Sequence, residues 1–197
     1  MTAGGPRLPD LTGRVALVTG ASNGVGREIA RELARARAEV LMPVRDRSRG
    51  ERAVDLIRAS VPDAHLELLD LDLSRLDSVR ALTAFLRVRD RPIDLTVLNA
   101  GLVNIGDPHR HVTGDGFELH FQTNFLGHAV LTLGLLPLLR GGRLISQLSI
   151  AARTGRLDPS NPQLHRGYSA LRAYGASKVA LGAFTLELAR RSAAEDL

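Results

Sequence analysis

Tyr174 and Lys178 stand four residues apart, so on a helix both project from one face. An ammonium beside a phenol favours the phenolate, and such a pair can give and take a proton near neutral pH. Of the 26 lysine and arginine residues all but one are arginine, and the exception is Lys178. Lysine offers a compact amine that can titrate, which a guanidinium cannot do. A tyrosine and a lysine one turn apart are most often a plain surface pair. Confining lysine to this one position argues for chemistry instead. Ser149, closing a strand expected over residues 143–148, adds a hydroxyl able to polarise a carbonyl.

A second constellation lies near the start. Val15 to Val18 are apolar, as in a strand buried on both faces, and run into Thr19-Gly-Ala-Ser-Asn-Gly-Val-Gly26. Val25, Ile29, Ala30 and Leu33 then recur at helical spacing. This is strand, glycine turn, helix. Gly20 permits a tight turn, Gly24 leaves room for a phosphate to approach the backbone, and Gly26 lets the helix pack closely. The helix N-terminus adds unpaired N–H groups and partial positive charge. The spacing is Gly-x-x-x-Gly-x-Gly rather than the commoner Gly-x-Gly-x-x-Gly. Nucleotide binding outweighs a plain loop.

The elements that must position these groups follow in order. Residues 1–10 read as a mobile leader and 11–197 as a single domain. The first strand and helix fall within 14–37, a second strand within 40–44 and a basic loop over 45–50. A helix follows over 51–60, a third strand over 65–69, and a helix opened by Ser74. A fourth strand is expected over 93–98 and a long helix over 116–139. Residues 150–173 read as a functional loop, too long for a connector, and a last helix starts near Tyr174. Alternating strands and helices imply an α/β, doubly wound parallel sheet with ligands beyond the strand C-termini. The polar clusters after the strands converge on that edge.

Composition narrows the classes. Hydrophobic residues make up 44% and charged residues 24%, ordinary globular values. With no cysteine there is no disulfide or thiolate metal site. No stretch has the layout of a signal peptide, and the longest apolar run, 129–139, is too short to span a bilayer. A cytoplasmic protein with no membrane span is expected. The net charge of +5 invites a nucleic-acid reading, but the arginines are scattered beside acids and aromatics are only 4%. A solvated helix surface explains them better, so no nucleic-acid partner is expected. His109 and His111 lack a third metal ligand nearby, and no metal site is expected. His65, His120, His128 and His165 carry no signal beyond their neighbours.

Thr19-Gly-Ala-Ser-Asn-Gly-Val-Gly26, Leu98-Asn-Ala-Gly101, Asn124, Ser149 and Tyr174-Gly-Ala-Ser-Lys178 together resemble the short-chain dehydrogenase/reductase family. The resemblance runs from Leu11 to about Ser192. Val44-Arg-Asp-Arg-Ser-Arg-Gly50, Leu71-Asp-Leu-Ser74, Asn124-Phe-Leu-Gly-His128, the long Ser-to-Tyr gap and Thr185-Leu-Glu-Leu-Ala-Arg190 are similar to its retinol dehydrogenase and protochlorophyllide reductase-like branch. It implies a Rossmann-type sheet of order 3-2-1-4-5 with the family's last strands missing. Tyr174 would be the general acid for carbonyl reduction and the base for the reverse. Lys178 would assist it and hold the nicotinamide ribose, Ser149 would orient the substrate oxygen, and Asn124 would hold a water reaching Lys178. Gly20, Ser22, Asn23, Gly24, Val25 and Gly26 would bind the cofactor. Asp72 and Leu73 would contact the adenine, and Asn99, Ala100 and Gly101 would lie along the cofactor.

Val44 is apolar where NAD-preferring relatives carry aspartate, and Arg45 follows at once, with Arg47 and Arg49 adding positive field. NADP(H) is therefore expected over NAD(H), although Asn23 stands where many NADP-preferring relatives carry a second basic residue. Three departures bear on structure. Leu98 replaces the usual first asparagine. Arg37 stands where a glycine normally closes the first helix. Pro43 removes a ladder donor, so a bulge or a shortened strand is expected. Relatives continue for two more strands past the catalytic helix, so a fragment of a reductase is expected, with one edge of strand five unpaired. The expected activity is interconversion of a small-molecule carbonyl and a primary or secondary alcohol. The alternative is a dinucleotide-binding regulatory or scaffold protein. The resemblance also implies a homo-oligomer packed through the two long helices.

Overall fold

The computed structural model describes residues 8–195. Most of the expected leader lies outside them, while Asp10 is tied in, its carboxylate accepting from Thr12 N–H at 3.0 Å and from Arg37 Nε at 3.2 Å. Five parallel strands form one sheet in the order β3-β2-β1-β4-β5. In chain order they are β1 (Val15–Val18), β2 (Glu39–Val44), β3 (Leu66–Asp70), β4 (Leu95–Leu98) and β5 (Arg143–Ser146). The helices are α1 (Gly24–Arg35), α2 (Arg47–Ser60), α3 (Leu76–Arg89), α4 (Leu119–Phe121), α5 (Gly127–Leu135), α6 (Ala151–Thr154) and α7 (Ala170–Glu195). A π-helical turn, Gln122–Leu126, joins α4 to α5, and a 3-10 turn, Leu136–Leu138, follows α5.

The period of two along β1 divides the core. Ala16 and Val18 face a layer with Val40, Met42, Leu33 and Ile57, under α1 and α2. Val15 and Leu17 face the other, with Leu41, Val79, Leu82, Leu131 and Leu135, under α3 and α5. Both faces are covered, so β1 is buried along its whole length. Among the described residues β5 pairs only with β4.

Five expectations are corrected. Strand β2 runs unbroken through Pro43, which pairs with Leu69 of β3. Glu39 N–H points to Arg14 of the β1 side, whereas Val40 N–H points to His65 of the β3 side. Position 43 shares the parity of 39, so its missing donor faces β1, where pairing has already ended at Leu17–Leu41. The basic loop shrinks because Asp46 accepts Arg49 N–H at 2.9 Å and starts α2 at Arg47. Ser74 does not open α3. Its N–H and hydroxyl are taken by Asp72 Oδ1 at 2.9 and 2.6 Å, and the first α3 amide, Leu76 N–H, goes to Asp115 at 2.8 Å. The long helix starts at Leu119 rather than 116, since Gly116 has φ +86°. The last helix begins at Ala170, four residues before Tyr174, and the loop ahead of it contains α6.

Candidate active site

The glycine turn is built around Thr19, which is buried. Its hydroxyl oxygen accepts the N–H groups of Asn99 and Ala100 at 2.9 and 3.0 Å. It also lies 3.0 Å from His128 Nε2. His128 Nδ1 faces the Asn124 carbonyl at 3.2 Å, and a carbonyl only accepts, so the proton sits on Nδ1. Nε2 is then the acceptor and Thr19 O–H donates to it. Asn99 Nδ2 closes the junction by donating to the Thr19 carbonyl at 2.9 Å. The turn after β1 is thereby joined to the segment after β4.

The glycines differ in what surrounds them. Gly20 has φ +68°, and a side chain there would come within 2.9 Å of Ala100 Cα. A Cβ on Gly26 would stand 2.4 Å from both Asn99 Nδ2 and the Gly20 carbonyl. Gly24 is at φ +51° with nothing within 4 Å of a would-be Cβ. Asn23, the N-cap of α1, makes no side-chain bond to the first-turn amides, and that turn holds no acid. Open space, unspent N–H groups and a positive helix end fit a phosphate group.

From this turn a cleft extends along the C-terminal ends of the strands. Gly20, Ser22, Asn23, Val25 and Gly26 line one wall, Arg45 and Arg49 the end of β2, and Asp72 and Leu73 the end of β3. Asn99, Ala100 and Gly101 form the floor after β4. Of the cofactor residues expected from the turn, only Gly24 is not part of the lining; it sits exposed at the tip. Arg47 does not join them, because it pairs with Asp70 at 3.2 Å. Arg49 pairs with Asp46 at 3.3 Å, while Arg45 makes no ion pair among the described residues. An uncompensated guanidinium beside the strand end suits a second phosphate.

Lys178 is only 4% exposed, on the inward face of α7. Its ammonium donates to the Gln147 carbonyl at 2.9 Å and lies 5.9 Å from the Tyr174 ring centroid. Burial lowers its pKa below the usual lysine value. A Cβ on Gly101 would stand 3.3 Å from Lys178 Nζ and from Asn124 Oδ1, so three elements converge there. Ser149 lies just beyond β5, its Oγ accepting Ala151 N–H at 3.2 Å. The segment carrying it is held to α7 on both sides. Gln147 takes Lys178, and Gly155 touches Gly175 so closely that a Cβ would fall 2.6 Å from its carbonyl.

Asn124 sits on the π turn, a feature common at functional sites. Its Oδ1 accepts Leu102 N–H at 2.8 Å, and its Nδ2 donates to the Leu102 carbonyl and to Ser177 Oγ, both at 3.0 Å. Leu98 is fully buried and pairs with Ser146 of β5. His128, His120, Glu118 and Gln147 form part of this architecture and were not singled out from sequence. An isolated histidine or glutamate has no local signal, since its role depends on partners tens of residues away. His109 and His111 both lean on Asp107, at 3.2 and 2.6 Å, and no group of three metal-binding side chains occurs among the described residues. No helix among them is long and apolar enough to cross a membrane.

The short chain dehydrogenase family model matches residues 14–196. Mouse polyprenol dehydrogenase is 41% identical over 94% of this chain, and mouse retinol dehydrogenase 12 is 38% identical over 92%. The chain spans only 56% and 57% of those relatives. A crystal structure of an uncharacterised protein from Mycobacterium paratuberculosis superposes with TM-score 0.84 at 38% identity, covering 95% of this chain and 65% of that one. A short chain dehydrogenase from Escherichia coli CFT073 complexed with NADPH gives TM-score 0.75 at 28% identity, covering 95% and 75%. The chain belongs to the short-chain dehydrogenase family, within reach of its retinol dehydrogenase branch.

Proposed function

We propose that this chain carries the cofactor-binding and catalytic part of an NADP(H)-dependent oxidoreductase that interconverts a carbonyl and a primary or secondary alcohol. The observation that supports this reading is that Lys178, which lies against Gly101 of the cleft floor, stands beside the Tyr174 ring and is bonded to Gln147 of the segment that carries Ser149. A bound nicotinamide dinucleotide would supply or accept the hydride. Tyr174 gives a proton to the substrate oxygen in reduction and takes it back in oxidation. Lys178, held by Gln147, keeps a positive charge beside that phenol. Ser149 donates a hydrogen bond that orients the same oxygen. Arg45 and the α1 N-terminus hold phosphates, which favours NADP(H) over NAD(H). The names of the relatives make apolar isoprenoid alcohols and aldehydes the first substrates to assay.

Tyr174→Phe tests the reading. NADPH affinity is expected to stay within about threefold, while carbonyl reduction falls by roughly 100-fold or more, the contribution of a positioned acid. Undiminished reduction by the variant would refute the assignment. NADPH binding by a wild-type chain that turns over none of these substrates would favour a binding or scaffold role instead.

A further inference from the structure

Glu118 and His120 are both buried, and the proton transfer proposed above uses neither. Their bonds have a defined direction. Asn104 N–H donates to His120 Nε2 at 3.2 Å, so that nitrogen carries no proton. The proton is on Nδ1, which donates to Glu118 Oε1 at 2.8 Å. Glu118 Oε2 accepts Phe121 N–H at 2.7 Å, and Glu118 N–H is held by Gln163 Oε1 at 2.9 Å. A carboxylate that sets the tautomer and aim of an imidazole is usually found where the other ring nitrogen has a task. Here that task is to grip a backbone amide.

The amide belongs to the segment leaving the cleft floor. Asn124, four residues on from His120, takes Leu102 from both sides. Residues 102 and 104 thus hang on two side chains of one continuous helical stretch. Leu102 lines the cleft, and Gly101 before it lies against Lys178 and Asn124. Movement of Asn104 away from His120 would be passed through two residues to the wall beside the ammonium.

We propose that Glu118 and His120 form a positioning dyad, which through the Asn104 amide fixes the Gly101–Leu102 wall of the cleft next to Lys178. The proposal rests on the oxidoreductase reading for its catalytic consequence, but its geometric part stands apart from turnover. His120→Gln and His120→Asn separate the two bonds of the ring. A glutamine amide reaches where Nε2 sits and can still accept from Asn104. An asparagine amide reaches where Nδ1 sits, so it can still donate to Glu118 but falls short of Asn104.

In the full chain, His120→Asn is expected to speed hydrogen exchange of the Asn104 amide at least tenfold and to raise the NADPH Kd at least fivefold. With His120→Gln both are expected to stay within about twofold of wild type, and any measurable kcat follows the same order. Equal effects of the two variants, or an Asn104 amide whose exchange changes in neither, would overturn the dyad. Should His120→Asn fail to fold, the ring nitrogen shifts of His120 in the wild-type chain take its place: a neutral ring protonated on Nδ1 with Nε2 bare is expected, and a proton on Nε2 overturns the proposal. A wild-type chain with no turnover would defeat the oxidoreductase reading while leaving exchange and Kd to judge the dyad.

Discussion

At the scale of single residues, the three glycines of the turn can be told apart by what a methyl group would meet. On Gly26 it would collide with the Gly20 carbonyl and Asn99 Nδ2. Backbone would have to move, so Gly26→Ala is expected to cost about 2 kcal/mol of stability in a denaturant titration. On Gly24 the methyl meets nothing, leaving only the strain of φ +51°, about 1–2 kcal/mol. It would nonetheless stand in front of the α1 N-terminus. Gly24→Ala is therefore expected to remain folded yet bind NADPH more than tenfold more weakly, as read by quenching or enhancement of cofactor fluorescence. Similar NADPH affinities for Gly24→Ala and wild type would place the phosphate elsewhere.

At the scale of elements, α1 ends in a Schellman motif, with Arg37 N–H bonded to the Ala34 carbonyl and Ala38 N–H to the Leu33 carbonyl. The motif requires a left-handed residue, and Arg37 supplies it at φ +71°. The exposed Arg37–Asp10 ion pair offsets little of that strain. Arg37→Gly is expected to stabilise the chain by about 0.5–1 kcal/mol and raise Tm by about 1–4 °C. A lower Tm would mean the ion pair outweighs the backbone. The same helix shows what sequence can convey. Its period, its glycine turn and the anomaly of Arg37 are local, and local patterns were legible. The start of α3 was not, because its capping carboxylate, Asp115, comes from 39 residues away. Nor was the tolerance of Pro43, which depends on where the neighbouring strand stops. In the site, Tyr174, Lys178 and the glycines stood out by spacing and rarity. Glu118, His120 and His128 did not, since only the folded chain gives them partners.

At the scale of the whole molecule, His128 ties β1, the segment after β4 and the π turn into one unit from a fully enclosed position. Burial lowers its pKa to about 4; the bond to the Asn124 carbonyl opposes this and the charge of Lys178 adds to it. The unfolded chain, titrating near ~6.5, takes up the proton first as pH falls. Stability is thus complete above about pH 6.5 and declines as pH drops toward 4, by about 3 kcal/mol in all. Urea midpoints at pH 7 and 4.5 should differ for wild type and much less for His128→Asn. Equal pH slopes would show that the imidazole is not held neutral.

The measurement that bears most directly on the proposed chemistry is single-turnover NADPH oxidation by wild type and by Lys178→Met, alongside their melting temperatures. Methionine keeps the apolar stem in the slot beside Gly101 and removes the buried ammonium, so the fold should be as stable or more so. Oxidation is expected to fall roughly 100-fold or more. Turnover at the wild-type rate in a folded Lys178→Met chain would contradict the role of the amine and the site built around it.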